Sequence, residues 1–136
     1  MSNEKQSSID KEFVPYAEAL ALKELGFDEL CLGYYTIYSD GEVKFFTSDK
    51  GFRNLEAPTF SQCFRFFREK HNLIGGVQYI GGLKPETTWW DIYVIGHFNT
   101  DIGEMSMEYQ PFEEAELELL KKLIEIANEQ QIRKIP

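Results

Sequence analysis

The segment from Trp89 to Phe98 carries side chains that could bind a ligand or partner at alternate positions of a predicted strand. Residues two apart in a strand point to the same face. One alternate set is apolar and contains Trp90, Ile92, Val94 and Phe98. The other set is Trp89, Asp91, Tyr93, Ile95 and His97. If helices cover the apolar set, the second set forms an open face, which other tyrosines extend. We call this predicted surface the aromatic sheet face, with the binding candidates Trp89, Asp91, Tyr93, His97, Tyr79 and Tyr35.

Acid–base catalysis on this face is not supported by the spacing of its titratable side chains. Asp91 and His97 are six residues apart, which is about 20 Å along a strand, so they cannot form a hydrogen-bonded pair. An aromatic patch in contact with water instead indicates a site for a partner or ligand. Two interpretations stay open. The face binds another molecule, or a loop, the N-terminal segment or a second copy of the chain covers it as ordinary packing.

Metal and cofactor sites have no recognisable motif in the chain. His71 and His97 do not form an HExxH or similar pair, and Cys31 and Cys63 lack CxxC spacing. No glycine-rich phosphate-binding motif occurs either. We therefore expect no metal, no cofactor and no catalytic residue. His71 is expected to have a packing or helix-capping role, and both thiols are expected to be reduced and buried, as in a cytoplasm.

The helices that position these side chains are indicated by proline, glycine and apolar spacing. Pro15 and Gly26 bracket a first helix over 16–25, and Thr59 is a good N-cap for a second helix over 60–71. Pro111 begins a third helix. Its apolar stripe is Phe112, Ala115, Leu119, Leu123, Ile126 and Ala127.

Four strands are predicted between the helices. Residues 30–47 are rich in strand formers and contain Asp40-Gly41, typical of a two-residue type I′ turn that would place Tyr35 opposite Phe46. Strands over 77–80 and 89–98 follow, while 48–58 and 99–110 are interpreted as loops. The order α-β-β-α-β-β-α predicts an α+β fold, with a four-stranded antiparallel sheet and helices packed mainly on one face.

Length and charge limit the organisation and the partners of the chain. A chain of 136 residues is expected to form one α+β domain over 13–136, after a flexible N-terminal lead over 1–12. With 14 Lys and Arg against 23 Asp and Glu, the net charge of −9 disfavours nucleic acid as a partner. No apolar run approaches the ~20 residues of a membrane span, and the N-terminal segment has no apolar signal core. We therefore expect neither membrane insertion nor export.

A local excess of positive charge lies in the segment 48–71. This segment has five basic and three acidic residues, and its helical part contributes Arg65, Arg68 and Lys70. This basic patch would suit an acidic or phosphorylated partner. The alternative is that its arginines pair with carboxylates of the same chain.

The second and third predicted helices contain two distinctive segments, CFRFFREKHNL at 63–73 and EEAELELLKKLIEI at 113–126. With residues 16–27, they resemble a family of small uncharacterised proteins from bacteriophages and mobile elements of gut Bacteroidetes. The resemblance covers most of the chain, apart from the lead and the loop near residue 103. Phe66 stands where the family has an aromatic residue, often tryptophan. Because no activity or ligand is attached to the family, the resemblance implies only origin and a cytoplasmic setting.

These observations favour a non-enzymatic protein-interaction module over an enzyme. The aromatic sheet face would engage an unknown protein partner or a second copy of the chain in a homodimer. The alternative is a small-molecule-binding protein or an enzyme with a pocket between the sheet and the 99–110 loop. A third hypothesis, mimicry of nucleic-acid charge, depends on the net charge alone.

Overall fold

The computed structural model describes residues 10–81, 88–96, 104–109 and 112–134. Helices and antiparallel strands occur together in these ranges, which confirms the predicted α+β class. A 3-10 turn at Asp10–Glu12 comes first. The elements that follow are α1 (Tyr16–Glu24), β1 (Gly33–Ile37), β2 (Val43–Phe46), β3 (Leu55–Ala57), α2 (Phe60–Lys70), β4 (Leu73–Gly81), β5 (Thr88–Gly96), β6 (Glu104–Tyr109) and α3 (Phe112–Lys134).

The chain divides into two compact units, Met1–Cys63 and Phe64–Pro136, and the boundary between them lies inside α2. The first unit contains α1 and strands β1 to β3, and the second contains strands β4 to β6 and α3. Most of the expected flexible lead lies outside the described residues. The expectation of a single domain over 13–136 stays a prediction.

Each unit contains its own three-stranded sheet, so the predicted single four-stranded sheet is wrong. The strands lie in the order β2-β1-β3 in the first unit and β4-β5-β6 in the second. The difference comes from two short strands in segments that were expected to be loops, 48–58 and 99–110. β3 pairs with β1 and β6 pairs with β5. Each predicted hairpin is therefore completed by a strand of its own unit.

The β1–β2 hairpin turns through three residues, and the predicted two-residue turn is wrong. Tyr38 N–H donates to Glu42 O at 2.8 Å, and Gly41 N–H donates to Tyr38 O at 2.9 Å. Gly41 has a φ of +92°, as in a type I turn that is followed by a left-handed glycine. The extra residue shifts the register, so that Tyr35 lies opposite Phe45, one position from its predicted partner.

Aromatic and hydroxyl side chains of β1 hold other segments of the first unit against the sheet. The Tyr35 ring packs edge-on against Tyr16 of α1, and its hydroxyl donates to Val14 O at 2.8 Å. On the other face of β1, the Thr36 hydroxyl donates to Phe52 O at 2.8 Å and accepts from Phe52 N–H at 2.9 Å. Tyr35 therefore serves the packing of the first unit.

The predicted end of α1 and start of α2 are confirmed by their local hydrogen bonds. Gly26 has a φ of +102°, and Phe27 N–H donates to Leu22 O at 3.0 Å, which is the pattern of a Schellman C-cap. At the start of α2, Gln62 N–H donates to Thr59 Oγ1 at 3.2 Å, and Thr59 N–H donates to Gln62 Oε1 at 3.1 Å. This reciprocal pair is a capping box, so Thr59 is the N-cap.

Helix α3 supplies much of the core of the second unit. Most of its predicted stripe is buried, namely Ala115, Leu119, Leu123, Ile126 and Ala127, whereas Phe112 is exposed. The helix packs closely on β4 because Gly75 has no side chain. A Cβ at Gly75 would lie 2.9 Å from Leu119 Cδ1. One face of the second sheet is therefore a helix-packing surface.

Candidate functional site

The apolar alternate set of β5 packs against α3, as the sequence predicts. Ile92 and Val94 are buried. They pair across to Val77 and Gly75 of β4, and Gly75 is the position at which Leu119 approaches the sheet. The other alternate set of β5 therefore points away from α3.

That opposite face of the second sheet carries a partly exposed apolar patch. Ile74 of β4 and Ile95 of β5 are cross-strand partners, and they are 48% and 43% exposed. Beside them Tyr93 pairs with Gly76, and a Cβ at Gly76 would overlap the Tyr93 phenol, so the ring lies over this glycine. Gln78 follows on the same face of β4 and is exposed. We call this surface the open face, defined by Ile74, Gln78, Tyr93 and Ile95.

Asp91 belongs to the same face by register but is not accessible there. It is only 7% exposed, and its Oδ1 accepts a hydrogen bond from Ile92 N–H at 2.9 Å. The register between β5 and β6 shifts between Trp90 and Ile92, so the sheet is irregular beside Asp91. The carboxylate is therefore a local acceptor for the backbone, which corrects the expectation of an exposed binding group.

Tyr79 and Tyr35 do not extend the open face, which corrects a second expectation. Tyr79 pairs with Trp90, on the face of the sheet toward α3, and the two rings are T-shaped with centroids 5.5 Å apart. Tyr35 belongs to β1 of the first sheet, where its ring lies 5.4 Å from that of Phe45. Residue type alone does not show the face on which a tyrosine lies, and strand register separates both tyrosines from Tyr93.

Trp89 and His97, at the two ends of the predicted face, fall outside what the structure describes. The backbone of Trp89 belongs to β5 and pairs with Ile80, but its side chain is not described. His97 follows the last described residue of β5. Their part in a binding surface stays a prediction.

The basic patch lies on α2, where Arg65, Arg68 and Lys70 are exposed. Arg53, from the same basic segment, is engaged within the first unit. Its Nη1 lies 2.8 Å from Glu56 Oε1, and its guanidinium carbon lies over the Tyr34 ring, 4.5 Å from the ring centroid. One cation of the segment thus pairs with a carboxylate of the chain, and an acidic partner for the α2 residues stays a prediction.

A shallow pocket of about 200 Å³ in the first unit could not be foreseen from the sequence. Its polar wall includes the Arg53–Glu56 ion pair, and Ala19 and Phe27 contribute apolar lining. This ion pair is already engaged with the chain, since Glu56 Oε1 also accepts from Cys31 N–H at 2.8 Å. These residues come from distant parts of the chain without a motif, so no local signal could have located the pocket.

The pocket that was expected between the sheet and the 99–110 loop lies largely outside the described residues. Residues 104–109, the described part of that segment, form strand β6 instead of a loop. A small-molecule site at this place stays a prediction.

Cys31 and Cys63 are buried free thiols, which confirms that they lie in the interior. Burial, followed by the charges of Glu56 and Glu29, raises the pKa of Cys31 to about 12. Burial also raises the pKa of Cys63. Because the thiolate is the reactive form of cysteine, neither residue is suited to nucleophilic catalysis at neutral pH.

His71 packs against the aromatic residues at the end of α2, in line with its predicted packing role. Its ring centroid lies 5.1 Å from that of Phe66 and 5.6 Å from that of Phe67. In the part of the chain that the structure describes, no group of three or more His, Cys, Asp or Glu side chains is placed to hold a metal ion.

Comparison of the chain with protein-family models, curated proteins and solved structures gives no significant match. Among the described residues, no helix combines the length and the apolar character needed to cross a bilayer.

Proposed function

We propose that this chain is a non-enzymatic protein-interaction module that docks another protein on the open face of its second sheet. The observation that carries the proposal is the cross-strand pair Ile74–Ile95, in which both isoleucines are nearly half exposed. Apolar side chains that meet across strands and stay in contact with water form a contiguous patch. An apolar patch in contact with water on a sheet face can bind an apolar surface of another protein.

The chemistry of the open face favours an apolar partner surface. Tyr93 adds an aromatic ring beside the isoleucines, and Gln78 adds an exposed amide that can donate and accept hydrogen bonds. Asp91, the charged residue on this side of β5, is buried. A nucleic acid or a phosphorylated peptide would find no cation among the described side chains of this face. A protein surface with its own apolar side chains would fit it.

The small-molecule alternative is supported by one observation, the shallow pocket of the first unit. Its volume of about 200 Å³ lies below the ~300–1,000 Å³ of typical ligand pockets. Two of the charged residues in its wall, Arg53 and Glu56, also bind each other and the backbone at Cys31. Docking on the open face therefore has the stronger support.

We also propose an origin in a bacteriophage or mobile element and a cytoplasmic location. The resemblance of residues 16–27, 63–73 and 113–126 to proteins of that origin supports the first. The two buried, protonated thiols are compatible with a reducing compartment, which supports the second.

Photo-crosslinking identifies what occupies the open face. The chain with a benzophenone amino acid at position 95 is expressed in the native host. After irradiation, the protein crosslinked to it is identified by mass spectrometry. Its affinity for the purified chain is then measured by calorimetry. Ile95→Lys is the test variant. Ile37→Lys is its matched control, because Ile37 is also a strand isoleucine and is 40% exposed.

Ile95→Lys is expected to lower the affinity at least about tenfold, or about 1.4 kcal/mol, while Ile37→Lys stays close to wild type. Tyr93→Ala should act in the same direction as Ile95→Lys. If Ile95→Lys and Ile37→Lys bind the identified protein equally well, the open face is not the docking surface.

A further inference from the structure

We propose that β4 is a dimerisation edge, through which two copies of this chain pair antiparallel about a two-fold axis. β4 runs from Leu73 to Gly81 and is one of the two outer strands of the second sheet. Among the described strands, none pairs with its outer edge. The edge of a sheet presents backbone N–H and C=O groups that another strand can bind.

β4 differs from the other three described edge strands because it contains no charged residue. Proteins protect strand edges with charged side chains, proline or short length. β2 carries an exposed Lys44, and β3 has only three residues, of which one is Glu56. β6 includes Glu104 and Glu108. The nine residues of β4, LIGGVQYIG, contain neither a charge nor a proline, so this is the least protected edge.

The sequence of β4 is compatible with a second copy of itself. Pairing centred on Val77 brings all nine residues into register, with Leu73 opposite Gly81 and Gln78 opposite Gly76. No like charges meet across this interface, although each chain has a net charge of −9. Isologous two-fold pairing is the commonest way in which soluble proteins form oligomers.

Dimerisation through β4 would also close the sheet against further strand addition. The paired chains would form a six-stranded sheet with the order β6-β5-β4-β4-β5-β6. Both ends of that sheet are β6, the strand that carries two glutamates. A second copy therefore removes the unprotected edge without creating another, which an unrelated partner strand does not ensure.

This inference goes beyond the proposed function and does not depend on it. A two-fold axis perpendicular to the sheet keeps the open faces of both copies on the same side. The two Ile74–Ile95 pairs would then belong to one larger surface. A protein docked there would meet two equivalent patches.

Sedimentation equilibrium of the full chain across the micromolar range tests the dimer. The wild type is expected to approach twice the 15.9 kDa of one chain. In the paired register, the two copies of position 78 are diagonal neighbours at about 7–8 Å. Gln78→Lys places like charges there and is expected to weaken the dimer by about two- to fivefold. In its own chain position 78 lies opposite Asp91, so the added lysine is compatible with the fold.

Gln131→Lys is the matched control, because it makes the same substitution at an exposed position of α3. It changes the net charge equally and should leave the dimer unaffected. Hydrogen exchange gives a second readout, since β4 amides should gain protection as concentration rises and β2 amides should not.

A monomer throughout the range overturns this inference, as does a dimer that Gln78→Lys and Gln131→Lys weaken equally. The proposed function has a separate test. If the chain is a monomer and Ile95→Lys still weakens partner binding, only the dimer is rejected. If the chain is a dimer and Ile95→Lys leaves the affinity for the partner unchanged, only the docking site is rejected.

Discussion

The ring of Tyr93 lies over Gly76, its cross-strand partner on β4. Glycine leaves the backbone of an edge strand without side-chain cover, and an aromatic residue on the neighbouring strand can supply that cover. The phenol is therefore held along the sheet, next to the exposed isoleucine pair. Its position explains why Tyr93 is half-buried while Ile74 and Ile95 on the same face are exposed.

Gly76→Ala should move the Tyr93 ring without unfolding the sheet. A Cβ at Gly76 overlaps the tip of the phenol, and the ring can rotate toward solvent. We expect the free energy of unfolding in urea to change by less than about 1 kcal/mol. By NMR, the Gly76 Hα resonances should show a ring-current shift in the wild type that disappears in Tyr93→Leu. Identical Hα shifts in the two proteins would contradict the observed stacking.

Gly75→Ala should be much more damaging than the same change at Gly76. A Cβ at Gly75 would lie 2.9 Å from Leu119 Cδ1 and 3.2 Å from Leu123 Cδ1, and both leucines are fully buried. Since these side chains have no solvent to move into, α3 must shift, at a cost of about 1–3 kcal/mol. Urea unfolding of the two alanine variants measures the difference. Equal losses would show that the two faces of β4 are not packed differently.

The location of the hairpin was predictable, but its register was not. Asp40-Gly41 suits a two-residue type I′ turn, and the same residues suit the three-residue loop that ends in a left-handed Gly41. The choice is made by packing, because Tyr35 and Phe45 must share a face to meet each other. That contact is tertiary, so turn residues alone do not reveal it.

The division into two sheets depended on strands with weak local signals. β6 does alternate, with Met105, Met107 and Tyr109 at every second position, but glutamate, serine and methionine obscure the pattern of a strand former. β3 has only three residues, too few to show a period. Whether the two hairpins share a sheet depends on pairing between residues far apart in the sequence, and the alternation within each strand does not show that pairing.

The sidedness of β5 was the most predictable feature of the site. The apolar positions Ile92 and Val94 are buried toward α3, as their alternation requires. Accessibility on the other face was not predictable in the same way. Period-two spacing assigns Asp91 and Ile95 to one side, yet Asp91 is buried and Ile95 is exposed. Local irregularity between β5 and β6 accompanies this difference, and a sequence pattern does not show it.

Thr36→Val should detach the segment that follows β2 from the first sheet. The buried Thr36 hydroxyl bonds both the N–H and the C=O of Phe52, and valine keeps the shape while leaving both groups without that partner. We expect a loss of about 2–4 kcal/mol in urea unfolding and faster tryptic cleavage near Arg53. Thr47→Val, the same change at an exposed position, should stay within about 0.5 kcal/mol of wild type. Wild-type stability of Thr36→Val would mean that these bonds do not anchor the segment.

Stability should fall at alkaline pH because Cys31 and Cys63 are buried. Burial raises the pKa of Cys31 from its usual 9.0 to about 12, and it raises the pKa of Cys63 as well. Above pH ~9 the thiols of the unfolded chain ionise while those of the folded chain stay protonated. Ionisation therefore stabilises the unfolded state relative to the folded state. The stabilisation is therefore complete below pH ~9 and is lost as pH rises toward ~12. Its slope is up to about 1.4 kcal/mol per pH unit for each thiol.

Urea unfolding of the wild type and of the double variant Cys31→Ala Cys63→Ala, at pH about 8 and about 10, isolates this contribution. The variant is expected to be less stable at the lower pH, because it loses buried side-chain volume. Its further loss between the two pH values should be smaller than that of the wild type. Groups other than the two thiols titrate in both proteins and largely cancel in this comparison. Parallel pH profiles would show that the thiols ionise equally in the folded and unfolded chains.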